Sequence, residues 1–528
     1  MKKKIFNGLL IGLGLVALVG CGKNNSSSID KSNLIQSEDV DSSYDEDAII
    51  YDATRITTGG SYIIEGDVTN SIIVDCDDEV TLVLNNTNIS ISEFSGIYIK
   101  DAKKVYINLV GENTLTTTGD YASIDDNKVD GAIFSKSDLT IKGEGSLNIN
   151  SSLHGIVCKD NLVISSNYLN IKATKKGIDV NDSFLAYQTE IEIDSNTDAI
   201  HVENDDTALG YAYLDNSTIK IITTRDGIST SGLLEIENSS LDINANSTTS
   251  ISSESIKGIK AGSNITLSNT IANITSSDDA IHSNNNVTIN SGEYTISSGD
   301  DGIHADNSLV INDGSINILK SYEGLEGKNV EINSGEISII SSDDGINAAG
   351  GNDGSSFNRP GANNFSTSSD VYININGGNI TIDASGDGID SNGNLNVSGG
   401  KVIVYGPTNN GDGALDYDGT ASITGGILCA IGYSGMAMNF KTSTQGSILY
   451  NTNTTYKAGT KISLSGSDEI FSITSKKAFN SVVISSKDIS LGSYTLTINT
   501  DSYTINLTSL LYSNSTGGFN PGGPGFHR

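Results

Sequence analysis

From Ser277 to Asn347 the apolar and polar positions fall into one recurring order. An acid, a small residue, Ile or Leu and a polar residue precede a short alternating run, a Gly turn and a second alternating run. The aliphatic slot holds Ile281, Ile303, Leu325 and Ile346, at steps of 22, 22 and 21 residues. It extends back through Ile259, Ile228, Ile200, Ile178, Ile156 and Ile133, and forward through Ile389, Leu415 and Met436. Steps of 31, 28 and 26 residues call for local loops, and the 43-residue step from Ile346 to Ile389 equals one repeat plus an excursion. The turn glycines Gly292, Gly314, Gly335, Gly378, Gly400 and Gly426 form a second column that stretches at the same place. Such self-similarity implies stacked units.

VTINSGEYTI, LVINDGSINI and VEINSGEISI are rich in Val and Ile and alternate, which suits strands. Asn-Ser-Gly and Asn-Asp-Gly suit a bend with positive φ at Gly. The expected fold is all-β: a right-handed parallel β-helix of about 22 residues per coil with a small C-terminal β module. A propeller blade would need roughly twice this length. Equivalent residues would stack in ladders about 4.8 Å apart, the aliphatic slot pointing inward.

Residues 1–20 read as a lipoprotein signal peptide. Three lysines precede an apolar run too short to span a membrane, and Leu-Val-Gly-Cys marks Cys21 for lipidation. Residues 21–48, rich in Ser, Asn and acids, read as a flexible tether. Residues 49–440 are expected to form the β-helix, with irregular first coils acting as a cap. Residues 350–370 form the Gly- and Asn-rich excursion. The 22-residue frame stops after about Phe440, so 441–512 read as a strand-rich capping module and 513–528 as a disordered Gly/Pro-rich tail.

The chain carries 31 Lys and Arg against 64 Asp and Glu, for a formal net charge of −33. Loss of the leader's three lysines takes it to about −36. Such a charge argues against nucleic acid and against direct polyanion binding unless cations intervene. Cys76, Cys158 and Cys429 are too few and too scattered for a disulfide framework and read as buried small hydrophobes.

Chemistry clusters beside the aliphatic slot. Two positions before it stand Asp198, Asp226, Lys257, Asp279, Asp301, Glu323, Asp344 and Asp387, with Asp412 three before Leu415. One position after it stand His201, Ser229, Lys260, His282, His304, Glu326, Asn347, Asp390 and Asp416, and Asp278, Asp300 and Asp343 add a partial third column. Carboxylates stacked about 5 Å apart repel by about 3 kcal/mol at an effective dielectric near 20. Either some take up protons or cations sit between coils. Asp in Asp-Gly turns also bonds its own backbone, a plain role for any single member. Several carboxylates with turn carbonyls make a hard oxygen cage suited to Ca²⁺. His282 and His304, on adjacent coils, could bind Zn²⁺ or stack along a groove.

The motifs DDGIH and GDGIDSNGNLNVSGGKVIVYGPTNNGDGALDYDG, the Gly/Asn-rich excursion, QGSILYN and FNSVVISS resemble a bacterial family. It is the family of carbohydrate-binding domain-containing lipoproteins with a calcium-binding parallel β-helix similar to family 9 pectate lyases. The resemblance spans about residue 49 to the C-terminus and is densest from Asp278 to Asp418. It implies export, calcium and binding of plant-type polysaccharides. Lys176, Lys257 and Lys260 depart from its acidic pattern, so the metal site is not carried onto those coils.

The resulting expectation is a monomer, lipid-anchored to the membrane on its extracellular face, that binds cellulose- or pectin-like polysaccharide with Ca²⁺ and does not cleave it. The metal ligands would come from Asp278, Asp279, Asp300, Asp301, Glu323, Glu326, Asp343, Asp344, Asp387, Asp390, Asp412 and Asp416. Sugar contacts would come from His282, His304, Tyr322 and Tyr417; Tyr294, Tyr405 and Tyr433 are further tyrosines to weigh against plain packing. Two alternatives remain. One is a calcium-dependent pectate lyase using Lys257 or Lys260 as base. The other is a structural surface protein or adhesin.

Overall fold

The computed structural model describes residues 28–44, 48–51, 55–121, 123–124, 127–246, 255–348 and 370–515. The leader, Cys21, the excursion before Asp370 and the tail from 516 lie outside them. Among the described residues no helix is long and apolar enough to cross a membrane.

The protein is all-β, dominated by one 44-stranded mixed sheet. Most of its pairs are parallel and join each repeat to the next. Ile259 pairs with Ile281, Ile281 with Ile303, Ile303 with Leu325, Leu325 with Ile346 and Ile346 with Ile389. The 43-residue step is therefore a single rung. The column also continues beyond its expected start, through Ile97 to Ile72. All of these side chains are buried. Strands such as Glu336–Ser341 alternate outward and inward, and the inward residues fuse into one long aliphatic core.

Two glycine columns make the rungs fit. The turn glycines hold positive φ, from 132° at Gly292 to 77° at Gly426, which a side chain rarely adopts. The glycine before the aliphatic slot meets the next rung instead. A Cβ on Gly302 would lie 2.6 Å from the Gly324 carbonyl oxygen. The Asp-Gly-Ile signature thus encodes close backbone approach as well as a turn.

The parallel stack ends where Ile427–Gly432, parallel to Lys401–Tyr405, takes Phe479–Ser486 as an antiparallel neighbour. Ser422 and Ile423 still pair in parallel with Thr442 and Ser443, so the repeat runs just past Phe440. Lys461–Ser465, Glu469–Thr474, Gly492–Ile498 and Asp501–Leu507 form a separate four-stranded antiparallel sheet. Its core shares Ile403, Tyr405, Cys429 and Ile431 with the last rungs. Cys76, Cys158 and Cys429 are free and buried.

Residues 28–44, which the sequence assigns to a tether, form a strap packed across the strands. Ile29 packs on Val163, Leu185 and Tyr213, with Leu34 and Ile35 beside it. The Ile29 N–H donates to Glu235 Oε1 (2.6 Å), and Lys31 Nζ lies 2.9 Å from Glu235 Oε2. At the other end Asp39, 1% exposed, pairs with Lys104 (2.5 Å) and accepts from Thr140 Oγ1 (2.6 Å). Asn108 Nδ2 donates to the Ser42 carbonyl at 3.0 Å. Buried charge is tolerated here because each partner is matched.

Candidate functional site

Parallel pairing stacks the two ligand columns in the expected register. Lys260 sits beside His282, His282 beside His304, His304 beside Glu326, Glu326 beside Asn347, Asn347 beside Asp390, and Asp390 beside Asp416.

In the column two positions before the slot, one carboxylate oxygen anchors the following rung. Asp226 Oδ1 accepts from the Lys257 N–H (2.8 Å), Asp279 Oδ1 from the Asp301 N–H (3.0 Å) and Asp344 Oδ1 from the Asp387 N–H (2.6 Å). Asp387 Oδ1 accepts from the Gly413 N–H. The local-turn role foreseen for these acids is therefore an inter-rung bond, and it leaves the second oxygen free to face the neighbouring column.

From Lys257 to Glu326 that second oxygen meets cationic groups. Lys257 Nζ pairs with Asp279 Oδ2 (2.5 Å) and Asp278 Oδ1 (3.2 Å). Burial disfavours its ammonium, but Asp279 and Asp278 outweigh that and hold its pKa above the ordinary lysine value. His282 Nδ1 lies 2.8 Å from Asp279 Oδ2. Asp279 is wholly buried, which opposes ionisation, yet the His282 hydrogen bond and the Lys257 charge keep its pKa below the usual range.

His304, 1% exposed, places Nδ1 2.6 Å from Glu326 Oε2 and 3.1 Å from Asp301 Oδ2, with Nε2 3.0 Å from Asp306 Oδ1. Burial works against its charge, but bonds to Asp301, Asp306 and Glu326 raise its pKa well above 6.5. Both His304 nitrogens turn to carboxylates and the two rings stack, the arrangement weighed against a shared Zn²⁺ at His282 and His304.

Beyond Glu326 the compensation stops. Among the described residues no Lys, Arg or His pairs with Glu323, Asp344, Asp387 or Asp390. Oxygens of Asp344, Asp387 and Asp390 lie within 4.8 Å of one another. Burial, then the charges of Asp390 and Asp387, pushes the Asp344 pKa up. Burial and Asp390 push Asp387 up to about 8, and burial and Asp416 push Asp390 up to about 7. Burial and the charge of Glu326 raise Glu323, although Asn347 Nδ2 donates to its Oε2 at 2.7 Å. Asn347 Oδ1 is buried and accepts no hydrogen bond among the described residues. A hard divalent cation fits this all-oxygen set: it would answer the mutual repulsion and satisfy an orphaned carbonyl. Asn347 stands in the acidic column but, being neutral, was not singled out as a ligand from sequence.

The remaining expected ligands spread out. Asp278, Asp279 and Asp300 form a second oxygen trio, but Lys257 already pairs with two of its members. Asp301 and Glu326 are taken up by His304. Asp343 stands near the Tyr322 hydroxyl and, with burial, raises the phenol pKa. Asp412 accepts from Asn409 Nδ2 (2.7 Å) and Asp416 from the Tyr417 N–H (2.7 Å).

Of the four expected sugar contacts, Tyr322 alone is exposed, at 44%. His282 and His304 are buried in the ion network, so they line no open groove. Tyr417 is 4% exposed; its hydroxyl donates to the Asn439 carbonyl and Lys441 Nζ caps its ring at 4.8 Å. Tyr294 and Tyr405 are buried as well, the plain-packing outcome.

A family model described as carbohydrate-binding domain-containing protein matches residues 52–302 and 300–510. A carbohydrate-binding domain-containing protein of Acetivibrio thermocellus is 31% identical over 173 residues, covering 29% of this chain. The matched stretch spans 59% of that relative's length. A solved structure of the polysaccharide lyase-like protein from C. thermocellum, a gadolinium derivative, is 28% identical with a TM-score of 0.32, covering 50% of this chain and 86% of that one. With the family model matched over nearly all of the folded part, the chain belongs to the carbohydrate-binding domain-containing protein family.

Proposed function

We propose that the protein binds polysaccharide at the cell surface and that its parallel stack is a right-handed parallel β-helix, lipid-anchored through Cys21. Family membership is the observation that carries carbohydrate binding. The calcium reading rests on Asp344, Asp387 and Asp390, whose clustered oxygens lack a cationic partner among the described residues, together with Asn347 Oδ1, orphaned among the same residues. Ca²⁺ held by these residues would supply positive charge through which an acidic protein can meet a uronate-bearing chain. Tyr322, exposed one residue before Glu323, would offer a ring to the sugar.

Binding without cleavage is favoured over β-elimination by Lys257. A lyase base must be free to accept the C5 proton. Lys257 is buried, ion-paired to Asp279 and Asp278, and its pKa is raised. The deciding experiment is a glycan array run with and without EDTA, beside an absorbance assay for unsaturated uronate. Retention of polysaccharide without product is the expected result. Steady product formation lost in Lys257→Ala or Lys260→Ala would establish the lyase instead.

A further inference from the structure

One outward-facing column runs unbroken along the stack. Thr140 pairs with Val163, Val163 with Leu185, Leu185 with Tyr213, Tyr213 with Glu235 and Glu235 with Thr266. The column then continues through Thr288, Val310, Glu331, Asn374 and Asn396. Among the described residues the strap covers the first part, from Thr140 to Glu235, and the column is half-exposed from Thr266 to Asn396. Chemistry changes at the same place. Val163, Leu185 and Tyr213 lie under the strap, whereas Thr and Asn predominate beyond it.

The strap demonstrates that this face seats a single polymer chain running across the strands, over about 19 Å for five rungs. The half-exposed part is built for a different polymer. Asn312 Nδ2 donates to Asn290 Oδ1, Asn333 to Asn312 and Asn376 to Asn333, at 2.9, 3.0 and 2.9 Å. A parallel ladder joins Asn396 Nδ2 to Asn374 Oδ1 at 3.0 Å. Each amide spends one N–H and one lone pair on its neighbours and keeps a second of each. The result is a row of donors and acceptors at the rung spacing. Between Thr266 and Asn396 the outward column carries one charge, Glu331, on a protein of net charge −33.

We infer that the half-exposed face from Thr266 to Asn396 docks an uncharged polysaccharide chain laid along the stack. This rests on the polysaccharide-binding reading and adds the face and the ligand charge. The occupant is uncharged because the face offers amides and hydroxyls in place of cations or the acidic ladder. A fixed row of oriented amides meets a repeating row of sugar hydroxyls with little ordering cost on the protein side.

The test uses the full chain in affinity gels cast with hydroxyethylcellulose or, separately, polygalacturonate with calcium. Thr288→Arg and Thr266→Arg alter half-exposed, outward positions and are expected to leave the melting temperature unchanged. Each is expected to lower affinity for hydroxyethylcellulose at least tenfold. Asn317→Arg, on an exposed position of a different strand face, is expected to bind as wild type. Undiminished binding by both face variants overturns the inference. So does a wild-type protein that binds polygalacturonate but not hydroxyethylcellulose, an outcome that leaves the proposed function standing. A wild-type protein retained by neither gel overturns both.

Discussion

The imidazole rings of His282 and His304 lie face to face, with centroids 4.7 Å apart and planes 11° from parallel. His282 Nδ1 turns to Asp279 and His304 Nδ1 to Glu326, and among the described residues these are the last rungs on which a basic side chain meets the acidic columns. His304→Gln would leave Asp301 and Glu326 buried without their cation. Removing one partner of a buried pair costs about 3–5 kcal/mol. The loss should appear as a lowered urea midpoint with unchanged m-value. Because the folded pKa of His304 is raised, its contribution is complete below pH 6.5 and fades as pH rises through the folded value. The difference between wild type and His304→Gln should therefore shrink toward alkaline pH.

Asp390→Asn provides a test in which the sign changes. In EDTA it removes a like charge from Asp387 and Asp344 and should raise the melting temperature. In CaCl₂ the wild type should gain about 2.7 kcal/mol once calcium reaches a hundred times its dissociation constant. The variant should gain less and melt below wild type. Differential scanning fluorimetry in the two buffers reads both signs.

Gly302→Ala should destabilise although its surroundings are apolar. The new methyl meets the Gly324 carbonyl at 2.6 Å and the Ile318 side chain at 2.7 Å. Overpacking of this kind costs about 1–3 kcal/mol. Gly66→Ala, with open space around it but a φ of 70°, should instead show only the backbone cost of about 1 kcal/mol. Equilibrium denaturation of both variants separates the two causes.

Strap docking should be acid-labile. Burial opposes ionisation of Asp39, but its bonds to Lys104 and Thr140 win and lower its pKa. A depressed carboxylate contributes stability above pH 3.8 that is lost as pH falls through the folded value. Hydrogen exchange at residues 29–43 should accelerate in that acid window before exchange in the aliphatic core does. Asp39→Ala should produce the same exposure at neutral pH.

Much of the stack was legible because its two determinants are periodic. The slot from Ile133 to Leu415 needs an inward aliphatic residue on every rung. The turn column from Gly292 to Gly426 needs positive φ. Residue type alone reports both. Register likewise placed His282 beside His304 and Asp390 beside Asp416. Other features depend on what stands across from a residue. Asp279 and Asp387 have the same place in the repeat, yet one faces Lys257 and the other faces Asp390. Tyr417 offered no periodic sign that Lys441 and the Asn439 carbonyl would bury it. The strap was hidden because Ile29, Leu34 and Ile35 are sparse among Ser, Asn and acids. The available signal lay on its partner: Val163, Leu185 and Tyr213 are bulky at successive outward positions where alternation calls for polar residues.

The strap also determines how load enters the molecule. Ile29 lies beside Glu235, four rungs from Thr140 and five from Lys104 at the other end of the same segment, so tension from upstream arrives at the middle of the stack. A pull along the stack axis, directed away from the Lys104 end, acts on Lys31–Glu235, the Ile29 cluster and Asp39–Lys104 together, in shear. A pull perpendicular to the face opens the same contacts one after another, beginning at Ile29. The protein should therefore hold firmly under drag along its length and yield at low force when lifted from its flank, and neither direction loads the first strands until the strap has come away.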